Sequence, residues 1–201
     1  MAARLVYWMN VSLDLRIEHA AREDGGGDWM RIGEPLHREF NARARALSLM
    51  VQGRVVHEIM ESFWPAARHD ASLPDYLREY GEIWTEKPKV LVSRTRTSAE
   101  HNTRIVGEGA IQQIAALRER TDGDIGVGGA TLATQLLRAH LLDELLLFTH
   151  PAILGAGRPL FDAPEAGTPT DPVELDLLEQ AAFEGGVTLH RYAVRGARPA
   201  G

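Results

Sequence analysis

Apolar residues along the chain fall into two alternating kinds of run. Short, nearly continuous stretches occur at residues 5–11, 47–51, 90–92, 125–127 and 145–154, the pattern of strands covered on both faces. Between them, apolar positions recur at helical spacing. Val56, Ile59, Met60 and Phe63 form one stripe, and Tyr76, Tyr80, Ile83 and Trp84 form another behind Ser72-Leu73-Pro74-Asp75, a helix-start signal. Ala110, Ile114 and Leu117 predict a third helix, and Ala133, Leu136, Leu137 and His140 a fourth. A less regular helix is expected over residues 34–46, before the second strand.

Strands alternating with helices predict an α/β fold with a mixed, mainly parallel sheet and helices on both faces. The end of the chain departs from that rhythm. Residues 173–184 and 187–195 read as two strands joined by a two-residue turn at Gly185-Gly186, an antiparallel hairpin. Neither repeats nor low-complexity tracts interrupt the pattern, so residues 1–201 are read as one domain, with loops near 20–27 and 164–172 and a frayed tail over 196–201.

Composition narrows the function classes. A chain of 201 residues, 44% hydrophobic, can bury one sizeable core. The net charge of −6, with both signs interspersed, argues against nonspecific nucleic-acid binding, which needs a basic face. Cysteine is absent, which excludes disulfides, thiolate catalysis and cysteine zinc sites and is consistent with a cytoplasmic protein. The first apolar run is too short for a signal peptide or a bilayer span, and Asp143 and Glu144 break the later run at 141–148, so no membrane segment is expected. None of the eight histidines falls in a metal-ligand spacing, and no Gly-x-Ser-x-Gly elbow is present.

The sharpest chemical signal is Gly126-Val127-Gly128-Gly129-Ala130-Thr131-Leu132, a short strand running into a glycine turn and then a helix. Glycines let a ligand approach the backbone closely, and the helix start offers free N–H groups and a positive dipole end to a phosphate. Thr131 adds a hydroxyl. The plain alternative is a tight strand-to-helix turn, since the third glycine of the Rossmann fingerprint is missing. Two other strand ends favour the ligand: Gly53-Arg54 opens the helix bearing Val56, and Ser93-Arg94-Thr95 follows the third strand. Ligands of open α/β sheets sit at such carboxyl ends, and arginine grips phosphate oxygens in a fixed fork.

These landmarks, in order, resemble the dihydrofolate reductase superfamily, in the branch like the C-terminal reductase domain of bifunctional riboflavin-biosynthesis enzymes. The resemblance also rests on the opening strand running into Ser12-Leu13-Asp14, on Asp143-Glu144-Leu145 through His150-Pro151, and on Leu154-Gly155-Ala156-Gly157-Arg158-Pro159-Leu160-Phe161. It covers residues 4–194. It implies NADPH as hydride donor, reduction of a small heterocyclic, imine or carbonyl substrate, and a homodimer. With no deaminase segment ahead of it, the reading is a stand-alone reductase. On the resemblance, Gly128, Gly129, Ala130 and Thr131 would hold the pyrophosphate. Ser93 and Arg94, beside Thr95, would hold the 2′-phosphate, and Gly53-Arg54 a phosphate near the adenosine end.

At the substrate end, Asp14 is the candidate proton-handling carboxylate; its other reading is a turn cap. Trp29, His37 and Phe40 are candidate pocket residues, Trp29 alternatively serving to fold its loop down. The chain departs from the family at Leu15, where a glycine is usual, and at Val55-Val56, where a threonine is common. Those departures motivate the rival reading, a non-catalytic nucleotide-binding or interaction protein.

Overall fold

In the computed structural model, residues 3–19, 27–164 and 171–197 are described; most of the two expected loops and residues 198–201 of the expected tail lie outside them. The strands are β1 (Leu5–Ser12), β2 (Arg16–Glu18), β3 (Leu49–Gly53), β4 (Lys89–Val92), β5 (Thr103–Val106), β6 (Ile125–Gly128), β7 (Glu144–His150), β8 (Arg158–Pro159), β9 (Leu175–Ala182) and β10 (Thr188–Val194). The helices are α1 (Glu34–Ala46), α2 (Arg54–Ala67), α3 (Asp75–Glu86), α4 (Ala110–Arg118) and α5 (Ala130–Arg138).

Eight strands form one sheet in the order β5-β4-β3-β6-β1-β7-β10-β9, and β2 pairs with β8 apart from it. The first six run parallel, while β10 lies antiparallel between β7 and β9. The α/β class, the mainly parallel sheet and the terminal antiparallel pair are therefore as expected. The parallel strands are buried on both faces, which explains their continuous apolar runs. One face packs Leu36, Phe40, Ala44, Tyr80, Ile83 and Trp84 of α1 and α3. The other packs Ile114, Leu132, Ala133 and Leu136 of α4 and α5.

The differences have local causes. The strand expected over 145–154 stops at His150, where Pro151 removes a ladder donor. The helix expected to include His140 ends at Arg138, and His140 adopts a φ of 56°. β5 was not expected: Thr103 and Arg104 dilute a four-residue strand at the sheet edge. The β9–β10 connection is a single turn over Glu184–Gly186, closed by Phe183 N–H to the Val187 carbonyl at 2.8 Å, rather than a two-residue turn.

Candidate functional site

A cleft of about 1490 Å³ opens along the carboxyl ends of the parallel strands. The connection order creates it: the chain runs outward through β3, β4 and β5, then returns to insert β6 between β3 and β1. Such a reversal leaves a crevice between neighbouring strand ends. Gln52 registers with Gly128, so the turns after β3 and β6 lie side by side.

Contact between those turns depends on glycine. Gly129 has a φ of 108°, a conformation that side chains disfavour, and a Cβ there would lie 3.6 Å from the Gly53 nitrogen. A Cβ on Gly128 would come within 3.2 Å of Val56 Cγ1. Behind the turns, α2, α4 and α5 begin after Gly53, Gly109 and Gly129, and none of the three starts carries a side-chain cap. Their first-turn N–H groups and positive dipole ends reach the cleft together. The turn Gly107-Glu108-Gly109 after β5 was not singled out in the sequence, yet it is a further strand end lining the cleft.

The cations are arranged around these turns. Arg94 is exposed beside Ser93 and Thr95, and all three line the cleft. The buried Ser93 Oγ accepts the N–H groups of Thr95 and Arg96 at 3.2 and 3.0 Å, which curls the segment into a tight turn. Arg54 donates to Glu58 at 2.7 Å on the first turn of α2. Arg96, absent from the sequence expectations, spans Glu58 and Glu61 at 3.6 and 3.2 Å. Arg158 is the other addition. It lines the cleft and donates to Thr131 Oγ1 at 2.6 Å and to Asp162. Its signal was the stretch Gly157-Arg158-Pro159, conspicuous by composition but not by position.

The far end of the cleft is apolar. His37 and Phe40 line it, as expected. His37 is buried, hydrogen-bonds Asn41 at 3.1 Å, and is ringed by Phe40, Trp64, Tyr76 and Tyr80 with centroids 5.2–5.9 Å away. Burial pushes its pKa below the usual histidine value, so the ring is neutral at neutral pH.

Trp29 is not brought to the cleft. It stands edge-on to His150 at 5.5 Å and folds its segment onto the sheet.

Asp14 is likewise not among the cleft residues. Its carboxylate accepts from Ser12 Oγ at 2.7 Å and from the N–H groups of Leu154 and Gly155 at 3.0 and 2.9 Å. Those bonds hold its pKa at about 2, so the carboxylate is ionised near neutrality and ties the 154–155 loop to β1. Leu15 follows with a φ of 55°, a conformation that favours glycine, and it is exposed and not among the cleft residues.

The Asn10 side chain is a polar feature that the sequence did not flag. On β1, beside Trp8, it lines the cleft and meets His150 Nε2 at 3.0 Å through its Oδ1. Among the described residues there is no cluster fit to hold a metal ion, and no helix is long and apolar enough to cross a membrane.

Comparison with known proteins agrees with this architecture. A putative riboflavin biosynthesis protein from Shewanella sp. PV-4 superposes with a TM-score of 0.72 at 21% identity, over 97% of this chain and 99% of that one. Dihydrofolate reductase from Enterococcus faecalis, solved with NADP(H), superposes with a TM-score of 0.59 at 12% identity, over 97% and 99% of the two chains. Both likenesses are of fold. The Bacillus subtilis protein YyaP, itself described only as uncharacterized, is 26% identical over 159 residues, 79% of this chain and 80% of its own. The match to the RibD C-terminal domain family runs over residues 4–189, nearly the whole chain, and the chain belongs to that family.

Proposed function

We propose that the protein is an NADPH-dependent reductase of the riboflavin-reductase and dihydrofolate-reductase type, acting on a small planar heterocyclic, imine or carbonyl substrate. One observation carries the reading: three uncapped helix starts, a two-glycine cradle and the exposed Arg94 converge on one cleft. The reading is supported by the positive φ of Gly129 and the tight 3.2 Å approach that a Cβ on Gly128 would make to Val56, which keep this turn free of side chains where a pyrophosphate would lie. Gly128, Gly129, Ala130, Thr131 and Arg158 would hold the pyrophosphate. Ser93, Arg94 and Thr95 would hold the 2′-phosphate, with Gly53 and Arg54 beside the adenosine. When bound, NADPH supplies a hydride for the two-electron reduction. Leu15, one motive for a non-catalytic reading, lies off the cleft and does not obstruct it.

Parallel titrations with NADPH and NADH, followed by tryptophan fluorescence, test the proposal. NADPH is expected to bind at least tenfold more tightly than NADH. Arg94→Ala should remove most of that preference, since a charge-assisted contact contributes roughly 1.5–3 kcal/mol. No saturable binding of either nucleotide would overturn the reductase reading.

A second copy of the chain is the proposed partner, seated on the face of β9 and β10. Leu177 and Leu178 are 51% and 53% exposed there, beside exposed Leu175, an apolar edge that a lone chain would leave in water. Leu178→Glu should convert a dimer to a monomer in analytical ultracentrifugation. A wild-type monomer at micromolar concentration would remove this part of the proposal.

A further inference from the structure

We propose that the apolar half of the cleft takes a planar, uncharged conjugated carbonyl compound without a phosphate, held through its carbonyl oxygen by Asn10 Nδ2–H, with His150 behind as a positioning residue. The proposal rests on the reductase reading and adds the substrate class.

The first observation is the distribution of charge. Trp8, Met30, Ile32, Phe40, Met60 and Trp64 line this half, offering flat surfaces and apolar edges. Among the described lining residues the cations are Arg54, Arg94 and Arg158. Arg54 and Arg94 stand at the turns after β3 and β4, and Arg158 is engaged by Thr131 and Asp162 beside the glycine turn. Glu18, a lining carboxylate, registers opposite Arg158 across the β2–β8 pair, so its charge belongs with that arginine. A phosphate seated among Trp8, Met30, Ile32, Phe40, Met60 and Trp64 would lose its hydration with no cation among those side chains to replace it.

The second observation is a fixed hydrogen-bond direction. The Arg31 backbone N–H donates to His150 Nδ1 at 2.9 Å, so that nitrogen is an acceptor. In the neutral ring the proton then sits on Nε2, which donates to Asn10 Oδ1 at 3.0 Å. With Oδ1 taken, the Asn10 amide presents its two Nδ2 hydrogens elsewhere, and among the described residues they have no partner. His150 is fully buried, whereas Asn10 is half-exposed at the cleft. A buried ring therefore sets the orientation of a side chain that faces ligand. A conjugated carbonyl matches that donor, and an oxygen that gains negative charge on accepting a hydride would bind it more tightly still.

Calorimetry with 1,4-naphthoquinone and with 5-amino-6-(5-phosphoribosylamino)uracil, each with and without NADP⁺, decides the matter. The absence of cysteine removes thiol addition to the quinone as a confounding reaction. The quinone is expected to bind at least tenfold more tightly than the phosphoribosyl compound. Asn10→Asp keeps the acceptor for His150 Nε2–H but removes the cleft-facing donors. It should weaken quinone binding at least tenfold while leaving the melting temperature and NADPH affinity within error, which a merely structural Asn10 would not do. Tighter binding of the phosphoribosyl compound, no quinone binding, or unchanged affinity in Asn10→Asp would each overturn the proposal. Failure of NADPH to bind would instead remove the reductase reading, and the calorimetry without nucleotide would still judge the pocket.

Discussion

Gly129→Val is expected to abolish measurable NADPH binding, at least a hundredfold loss in fluorescence titration, and to lower stability. Two effects coincide at this position. A φ of 108° with a ψ of 128° is backbone that a β-branched residue adopts only under strain, costing on the order of 1–3 kcal/mol. The added side chain would also occupy the space beside Gly53 and Val56, where the two strand-end turns must remain open to a diphosphate. Gly53→Ala separates the effects. Its Cβ would meet the Gly128 carbonyl oxygen at 3.7 Å, an ordinary contact, and its φ is −67°. That variant should fold with wild-type stability and bind nucleotide within about threefold. Equal loss in both variants would mean that backbone disturbance, not the cradle, governs the response.

The second large effect is acid destabilisation through His150. Burial, reinforced by the nearby Arg31 charge, lowers its pKa from 6.5 to about 4. The unfolded chain thus takes up a proton that the folded chain refuses. Stability is fully present above pH 6.5 and is lost as pH falls from 6.5 toward 4, on the order of 3 kcal/mol in all. Protonation would also take the Nδ1 lone pair from the Arg31 N–H. Burial lowers the pKa values of His37 and His57 too, so they add to the slope in the same direction. Urea unfolding at pH 7, 6 and 5 of wild type and His150→Gln isolates the contribution. The wild type should lose stability more steeply with acid than the variant, and parallel curves would refute the assignment.

Much of the frame was legible because its signals are local. Continuous apolar runs marked β1, β3, β4, β6 and β7, and the glycine turn and Gly53-Arg54 stood at their ends in plain sequence. What stayed hidden depends on contacts between distant parts of the chain. Asp14 read as a proton-handling carboxylate or a turn cap, because nothing nearby in sequence shows the Leu154 and Gly155 N–H groups that engage it. Asn10 looked like one more residue of an apolar strand until His150, 140 positions later, was found to orient it. Arg158 gains its position from Thr131, 27 residues earlier. The β5 turn was missed because an edge strand of four mixed residues carries too little hydrophobic pattern to separate it from a loop.

The sheet order also bears on how the chain can be made. β1 is made before every other strand of the sheet, yet its two neighbours, β6 and β7, span Ile125–Gly128 and Glu144–His150. Until that length has emerged, Leu5, Val6, Tyr7 and Val11 have no partner strand on either side, although they are among the most buried residues of the finished fold. Early growth can pair only β3, β4 and β5, leaving a hydrophobic N-terminal segment waiting for most of synthesis. Long-range parallel pairing of this kind folds slowly. Translation arrested before residue 144 should therefore give a protease-sensitive nascent chain with an exposed first strand, the form in which a holdase chaperone would meet it.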